Sequence, residues 1–323
     1  MNQLTIRAAD GDFQVSRVIL GACNFGTFVD KETSLKLLDR YVELGGNCID
    51  TASVYGDWED TGTPVSEELL GEWMASRGVR DKVTIITKGG HYRLKKPQES
   101  RATPDCVRED IEKSLKALGI GTIDIYFLHR DNPGQPVEGF IDLLDEYVKA
   151  GKIRAIGTSN WPVSRIRQAN AYAKQAGKTP FAVSEIQWSL ATPASAPNGA
   201  EYLYPMTKED YQGYLQMGMP VLAWSSQASG IITKAIEKGM ENLSEPLRKK
   251  YDNPPTNRSI KMAEALCKTY GVTPTQAALG YITCNRLPAA AIIGPRKLEQ
   301  LEDSWKAMGL ELPPEAVENM KWD

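Results

Sequence analysis

Four side chains that can hold or move protons stand at or near the ends of short apolar segments. Lys88 ends VTIITK, Asp50 ends NCID with Tyr55 five residues later, and His129 ends IDIYFLH. A lysine buried at such a position needs an anionic partner, and Asp50 is the natural candidate. The cation would lower the pKa of a nearby tyrosine from about 10, which prepares that phenol to donate a proton. A neutral histidine beside them could orient a carbonyl oxygen.

Each of these residues also has an ordinary structural explanation. His129 could be a core histidine with one satisfied hydrogen bond, and Asp50 could cap a turn. Tyr55 could be an ordinary loop aromatic, and Lys88 could extend to solvent. The chemical interpretation therefore depends on whether the fold brings the four side chains together.

Composition argues against several classes of protein. The chain has 323 residues, 24% of them charged, and a formal net charge of -3. This charge balance lacks the excess of basic residues that is typical of nucleic-acid-binding proteins. No run approaches the roughly 18 apolar residues of a membrane helix, and the N-terminal segment does not resemble a signal peptide. The five cysteines include no C-x-x-C pair, so we expect free thiols. We predict a cytoplasmic protein that binds neither nucleic acid nor membrane; the oligomeric state stays open.

The elements that must position the four residues can be predicted from apolar patterning. Eight apolar segments of strand length alternate with amphipathic segments, which implies parallel crossovers. Eight such units predict an α/β fold, a (β/α)8 TIM barrel, and the absence of any G-x-G-x-x-G argues against the rival doubly wound sheet. We expect one domain over 1–323. The predicted strands are 18–22, 47–52, 83–88, 123–129, 153–159, 181–188, 221–225 and 289–294.

Turn and cap residues add detail to this barrel. LTIRAA and FQVSRV around Asp10-Gly11 predict an N-terminal β-hairpin. Thr103, Pro104 and Gly119 predict the cap, first position and end of one helix, and Ser66 is expected at the start of another over 66–78. The remaining insertions, 190–206, 227–258 and the C-terminal tail, would be additions to the barrel.

The strand-end motifs resemble those of the aldo-keto reductases. NCIDTASVYG, TKGG, IDIYFLHRDNP, GKIRAIGTSNW and IIGPRKLEQLED match family segments in order, from about residue 17 to 304. The resemblance implies a barrel that binds a nicotinamide dinucleotide without a Rossmann fold and transfers hydride to or from a carbonyl, with no metal. It implies that Tyr55 donates the proton, that Lys88 lowers the pKa of Tyr55, that Asp50 holds Lys88, and that His129 directs the carbonyl oxygen.

The resemblance also implies a cofactor site. Two sequence departures affect it: Glu185 stands where the family usually has glutamine, so it could accept from the carboxamide but not donate, and Trp224 replaces the usual stacking tyrosine. Arg296, with Lys297, would hold an adenosine 2′-phosphate at the start of the last helix, which favours NADPH over NADH. A solvated basic turn is the alternative there. The predicted cofactor residues are Ser159, Asn160, Glu185, Trp224, Ser225, Gln227, Gly230, Gly294, Arg296 and Gln300.

Loops above the barrel should select the substrate. Tryptophans mixed with charged residues favour a polar, ring-shaped carbonyl compound such as a sugar or keto-sugar, although several of these charges could equally face water. The 190–206 insertion, with Tyr202 and Tyr204, could form a lid. The predicted substrate residues are Phe25, Trp58, His91, Arg130, Asp131 and Trp161.

Three functions remain open from the sequence. The first is an NADPH-dependent carbonyl reductase. The second is a non-catalytic regulatory subunit of the same fold that binds cofactor. The third is a non-redox barrel lyase or isomerase using Glu185 and His129.

Overall fold

Eight parallel strands close into one barrel in this computed structural model, which describes residues 3–59, 63–94, 96–194 and 205–321. The strand order around the barrel is β10-β3-β4-β5-β6-β7-β8-β9, and β1 pairs antiparallel with β2. The predicted (β/α)8 fold and the N-terminal hairpin are confirmed. The strands are β1 Gln3–Ile6, β2 Phe13–Ser16, β3 Val18–Gly21, β4 Cys48–Asp50, β5 Thr84–Gly89, β6 Ile123–Leu128, β7 Ile153–Ser159, β8 Val183–Gln187, β9 Val221–Trp224 and β10 Ala289–Ile293.

Helices connect the strands and cover the outside of the barrel. The predicted 227–258 insertion contains α7, α8 and the start of α9, and the predicted lid tyrosines Tyr202 and Tyr204 lie outside the described residues. No helix of the described ranges is long and apolar enough to cross a bilayer. The helices are α1 Lys31–Glu43, α2 Val65–Arg77, α3 Pro104–Leu118, α4 Val137–Lys149, α5 Val163–Ala176, α6 Lys208–Met217, α7 Ile231–Lys238, α8 Glu245–Tyr251, α9 Pro254–Tyr270, α10 Pro274–Thr283, α11 Leu298–Trp305 and α12 Pro314–Glu318.

The ends of α3 follow the sequence rules. The Thr103 side chain accepts a hydrogen bond from the Cys106 backbone N–H, Pro104 occupies the first turn, and Gly119 ends the helix in the left-handed region at φ 64°. Local sequence is sufficient to predict both ends of this helix, because its cap residues satisfy backbone groups at the ends.

The start of α2 differs from its prediction. The helix begins at Val65, and the Ser66 hydroxyl donates to the Ala22 carbonyl instead of capping the helix. Glu67 is fully buried and accepts a hydrogen bond of 2.5 Å from Thr87 on β5. Burial raises the pKa of Glu67 to about 7. Packing of α2 against the barrel, and not the capping preference of Ser66, therefore determines where the helix begins.

The hairpin closes the N-terminal end of the barrel. Leu4, Ile6 and Val15 belong to the same apolar cluster as the barrel-interior side chains, among them Phe127. The Ser16 backbone N–H and hydroxyl both donate to the Asn47 side chain at 2.8 Å, directly before β4 begins. A (β/α)8 barrel that is closed at this end leaves the C-terminal strand ends as the accessible face.

Candidate active site

Adjacent strands bring the predicted lysine and aspartate together. Asp50 ends β4, Lys88 lies on the neighbouring β5, and the Lys88 ammonium is 2.5 Å from an Asp50 carboxylate oxygen. The ammonium also donates to the Thr51 carbonyl at 3.0 Å and lies 3.5 Å from the Tyr55 hydroxyl. Burial alone would lower the pKa of Lys88, but Asp50 and Glu185 outweigh it and raise that pKa above its usual value. The predicted ion pair is confirmed, and the lysine is a cation.

Tyr55 corrects one expectation about proton transfer. Burial raises the pKa of Tyr55 above its ordinary value, and the Lys88 cation opposes this rise without overcoming it. The sequence shows that a cation can lie near Tyr55, but it does not show the desolvation of the hydroxyl. Desolvation depends on how much protein surrounds that hydroxyl in the fold. In the protein without ligand, Tyr55 is therefore a protonated phenol next to a cation.

His129 follows β6 and meets the tyrosine edge-on. The two ring centroids are 5.8 Å apart, and the His91 ring lies 4.6 Å from that of His129 on its other side. Burial, followed by His91, Arg130 and Lys88, lowers the pKa of His129 well below its usual value. This direction agrees with the neutral imidazole expected from the sequence, with burial rather than Lys88 as the main cause.

Glu185 adds a second carboxylate to the lysine site. It pairs in register with Ser159 across β7 and β8, and its side-chain oxygen lies 3.4 Å from the Lys88 ammonium. Burial first, and then repulsion by Asp50, raise the pKa of Glu185 to about 8 despite the attraction of Lys88. At neutral pH Glu185 therefore holds a proton. A protonated carboxyl group can donate as well as accept, as an amide does, which corrects the expectation that Glu185 only accepts.

One elongated cavity of about 1140 Å³ opens at the C-terminal ends of the strands. Tyr55, His129 and Glu185 line one end of it, and Arg296 and Gln300 line the other. The volume slightly exceeds that of ordinary small-molecule pockets, as a dinucleotide together with a substrate would require. All ten residues predicted for the cofactor line this cavity: Ser159, Asn160, Glu185, Trp224, Ser225, Gln227, Gly230, Gly294, Arg296 and Gln300.

Backbone strain concentrates along the same cavity. Asn160, Ser225, Ala228 and Ser229 have φ angles of 62°, 54°, 47° and 60°, and they are the non-glycine residues with positive φ in the described ranges. All four line the cavity. Such conformations cost on the order of 1–3 kcal/mol each and persist at ligand-binding sites. The buried indole N–H of Trp224 also lacks a partner among the described residues.

The cavity includes cations that sequence reasoning missed. Lys234 and Lys238, four residues apart on α7, line the wall near the Ser225–Gly230 loop. The Lys234 ammonium donates to the Ser229 carbonyl at 2.8 Å. Their i, i+4 spacing directly after Gly230 is a signal that could have placed both on one helix face toward the loop.

The predicted substrate residues do not all reach the cavity. Phe25 and Trp161 are buried in the core, where the Trp161 ring packs edge-on against Phe140 and Phe181. Burying these large rings between the barrel and its helices is more favourable than exposing them. Of the six residues, Arg130 lines the cavity.

The other three predicted substrate residues, Asp131, Trp58 and His91, contact other side chains of the protein. Asp131 forms a 2.8 Å ion pair with Arg165, so its carboxylate is already neutralised. Trp58 stacks on Phe28 with 5.6 Å between centroids, and His91 is buried beside His129. These contacts correct the expectation that all six side chains face a substrate.

The barrel, the buried Lys88–Asp50 pair beside Tyr55, and the long cavity define a nicotinamide-dependent oxidoreductase of the (β/α)8 class. A model of the aldo/keto reductase family matches residues 17–321, and the chain belongs to that family. Members of this family use NAD(P)H and act on small-molecule carbonyl compounds.

Named relatives agree with this family. The chain is 29% identical to the aldo-keto reductase ausK of Emericella nidulans, over 99% of this chain and 81% of that protein. It is 29% identical to the NADP(+) aryl-alcohol dehydrogenase of Phanerodontia chrysosporium, over 94% and 81% respectively. It is 31% identical to the norsolorinic acid reductase stcV of Emericella nidulans, over 94% and 77%.

Proposed function

We propose that this protein is an NADPH-dependent reductase that converts an aldehyde or ketone to an alcohol. The observation that supports this most directly is the Tyr55 hydroxyl, 3.5 Å from the buried Lys88 cation and beside the neutral His129. These groups line or support one end of a cavity long enough for a dinucleotide.

The side chains at that end have complementary roles. The residues along the cavity would hold a nicotinamide cofactor, which would supply hydride to the carbonyl carbon. Tyr55 gives its hydroxyl proton to the carbonyl oxygen, and the Lys88 cation stabilises the phenolate that remains. Asp50 keeps Lys88 charged and in place, and His129 donates a hydrogen bond that orients the carbonyl oxygen. Because the pKa of Tyr55 is raised, the proton stays on the phenol until a substrate arrives.

The residues along the cavity fit the cofactor by type. Ser159, Asn160 and protonated Glu185 offer donors and acceptors for a carboxamide, and Trp224 offers a ring and an unpartnered N–H. At the far end, Arg296 would bind a 2′-phosphate, which favours NADPH over NADH. The name of the Phanerodontia chrysosporium relative includes NADP(+), which supports the same choice.

The substrate end supports a polar carbonyl compound. Arg130 and His129 line it, and neither is an apolar side chain. The names of the relatives concern aryl alcohols and norsolorinic acid, so we propose polar aromatic aldehydes or ketones beside the sugars and keto-sugars that the sequence favours.

Tyr55→Phe tests the proposed function. We expect NADPH oxidation over a panel of sugars, keto-sugars, short aldehydes and aromatic aldehydes, with kcat about 10²–10⁴-fold lower in the variant because the proton donor is lost. Cofactor affinity, followed by fluorescence titration, should stay near wild type. Tyr270→Phe, at an exposed tyrosine, is the control and should retain full activity.

Two outcomes would contradict this proposal. If neither NADPH nor NADH binds, the chain is a non-redox barrel enzyme or has another role. If cofactor binds but no carbonyl compound on the panel is reduced, a regulatory cofactor-binding protein becomes the better interpretation. Unchanged turnover in Tyr55→Phe would remove Tyr55 from the chemistry.

A further inference from the structure

We propose that Arg130 binds an anionic group, a carboxylate, on the substrate, at a position separate from the reacting carbonyl. The inference deepens the proposed reductase function and depends on it, because it concerns the substrate of the same cavity. It narrows the expected substrates to carbonyl compounds that carry a negative charge.

Arg130 is placed where a substrate substituent would reach it. The residue follows His129 directly and lines the same cavity as Tyr55. One of its terminal nitrogens donates to the His129 carbonyl at 3.0 Å, which fixes the guanidinium beside the catalytic end. Its Nε is buried and has no hydrogen-bond partner in the described part of the chain. Arg130 lines the cavity, and its guanidinium carries further N–H donors besides Nε that can bind a carboxylate.

Two other partly buried arginines have acidic partners, whereas Arg17 donates to the backbone carbonyls of Gln3 and Thr283. Arg165 pairs with Asp131 at 2.8 Å, and Arg101 pairs with Asp110 at 2.6 Å. For Arg130, no carboxylate lies within 4.0 Å among residues 3–59, 63–94, 96–194 and 205–321. A desolvated cation without an anion is unfavourable, and the protein places this one in its cavity wall.

The charges around Arg130 leave its positive charge unbalanced. Lys88 and Asp50 cancel each other at 2.5 Å, and Glu185 holds a proton at neutral pH. His129 is neutral, and burial, followed by the Arg130 cation, lowers the pKa of His91 to about 3. Burial also raises the pKa of the Cys23 thiol at this end to about 11, so the thiol is neutral too. Among the described residues at this end, Arg130 is therefore the cation without an acidic partner.

Two aldehydes of matched shape test this inference. With NADPH, 4-carboxybenzaldehyde should exceed the uncharged 4-carbamoylbenzaldehyde in kcat/KM by roughly ten- to hundredfold, as expected for a hydrogen bond between charged groups. Arg130→Gln should remove that ratio, and Arg130→Lys should keep part of it, because lysine retains the charge without the planar fork. The ratio should persist at high salt, since a partly buried pair is screened less than a surface pair.

Arg93→Gln is the matched control. Arg93 lies on a neighbouring loop of the same face but is exposed, so its loss should leave the ratio unchanged. An equal fall in Arg93→Gln would mean that general attraction by surface charge, and not Arg130, selects the anion. A wild-type ratio near one, or a ratio that survives in Arg130→Gln, would overturn the assignment.

A binding measurement separates this inference from the reductase proposal. Calorimetric titration of 4-(hydroxymethyl)benzoate and 4-(hydroxymethyl)benzamide into protein with NADP+ should show carboxylate preference in wild type and none in Arg130→Gln. If that preference appears but neither aldehyde is reduced, the anion site stands and the reductase proposal fails. If aldehydes are reduced but no preference appears in binding or turnover, the anion site is wrong and the reductase proposal stands.

Discussion

Two carboxyl groups compete for one cation in the buried centre of this site. Asp50 is 2.5 Å and Glu185 is 3.4 Å from the Lys88 ammonium. Two carboxylates this close to each other in a desolvated site repel, so one of them retains a proton. The shorter contact gives the negative charge to Asp50, and the proton goes to Glu185.

Glu185→Gln should change how stability depends on pH. The pKa of Glu185 in the folded protein, about 8, lies above the ordinary value of 4.5, so the folded state binds more protons between these values. Wild-type stability should therefore fall as pH rises through this window, by about 1.4 kcal/mol per pH unit at most. The variant lacks this loss, and its advantage in free energy of unfolding should grow up to about pH 8. Urea unfolding at a series of pH values measures it.

Glu67→Gln is the control for that experiment. Glu67 is also buried, and its pKa is raised from 4.5 to about 7, but it lies on α2 and hydrogen-bonds to Thr87, away from the cavity. Its difference from wild type should likewise grow as pH rises above 4.5 and should level off near pH 7. If the difference between Glu185→Gln and wild type does not change with pH above 4.5, Glu185 does not hold the proton assigned to it.

The sequence predicted contacts at this scale better than it predicted proton affinities. Lys88 at the end of an apolar strand required an anion, and Asp50 on the neighbouring strand supplies it. The raised pKa of Tyr55 could not be foreseen, because desolvation depends on every atom around the hydroxyl. Trp161 was misjudged for a related reason: it directly follows the predicted cofactor residues Ser159 and Asn160, but its neighbours in space are Phe140 and Phe181.

The start of α11 is the element on which the cofactor preference depends. Lys297 occupies its N-cap position without a side-chain cap bond, and the Arg296 backbone N–H donates to the Gln300 side chain at 2.8 Å. Arg296 and Gln300 line the far end of the cavity. A helix start with a cation beside it favours a phosphate group.

Arg296→Ala should therefore weaken NADPH much more than NADH. Loss of one charge-assisted hydrogen bond predicts a Kd for NADPH about ten- to hundredfold higher, with little change for NADH. Fluorescence titration of both cofactors measures this difference. Lys297→Ala removes a neighbouring cation that does not line the cavity, and it should alter either Kd far less. Equal weakening of both cofactors by Arg296→Ala would exclude a 2′-phosphate contact.

Regular elements were predictable where local signals agree with packing. β7 spans Ile153–Ser159 as predicted, and α3 has its predicted cap and end. The predicted strand 181–188 shortens to Val183–Gln187: the Phe181 ring packs edge-on against Trp161, and the Trp188 ring packs against Tyr211 of α6 and Tyr281 of α10. Lys234 and Lys238 of α7 were missed as cavity residues because α7 lies in a predicted insertion. No strand pattern relates that insertion to a strand end, and the i, i+4 spacing of the two lysines was the signal that remained.

At the scale of the whole molecule, the two ends of the barrel have different roles. The hairpin covers the N-terminal end and shares an apolar cluster with the interior side chains. The cavity, its strained backbone and its titrating groups occupy the C-terminal end. A substitution that destabilises the hairpin end should therefore leave cofactor binding at the C-terminal end unchanged.

Val15→Asp tests this separation. A carboxylate placed in the buried hairpin cluster has no cation to pair with, and it should lower the free energy of unfolding by roughly 3–5 kcal/mol. The KM for NADPH, measured on the folded protein at low temperature, should stay near wild type. Gln14→Asp, at the exposed neighbouring position, should leave both quantities nearly unchanged. A large change in KM with Val15→Asp would show that the two ends are coupled.

The buried trio of Asp50, Lys88 and Glu185 also constrains how this chain could change over evolution. Losing Lys88 alone would leave buried carboxyl groups without their cation, and losing Asp50 alone would leave Lys88 poorly paired. Tyr55 and His129 carry no charge in the folded protein, so either can be replaced without such a penalty. A descendant that lost turnover but still bound the cofactor, as a sensor would, should arise most easily by substitution at Tyr55 or His129. It would retain the Lys88–Asp50 ion pair although that pair no longer served catalysis.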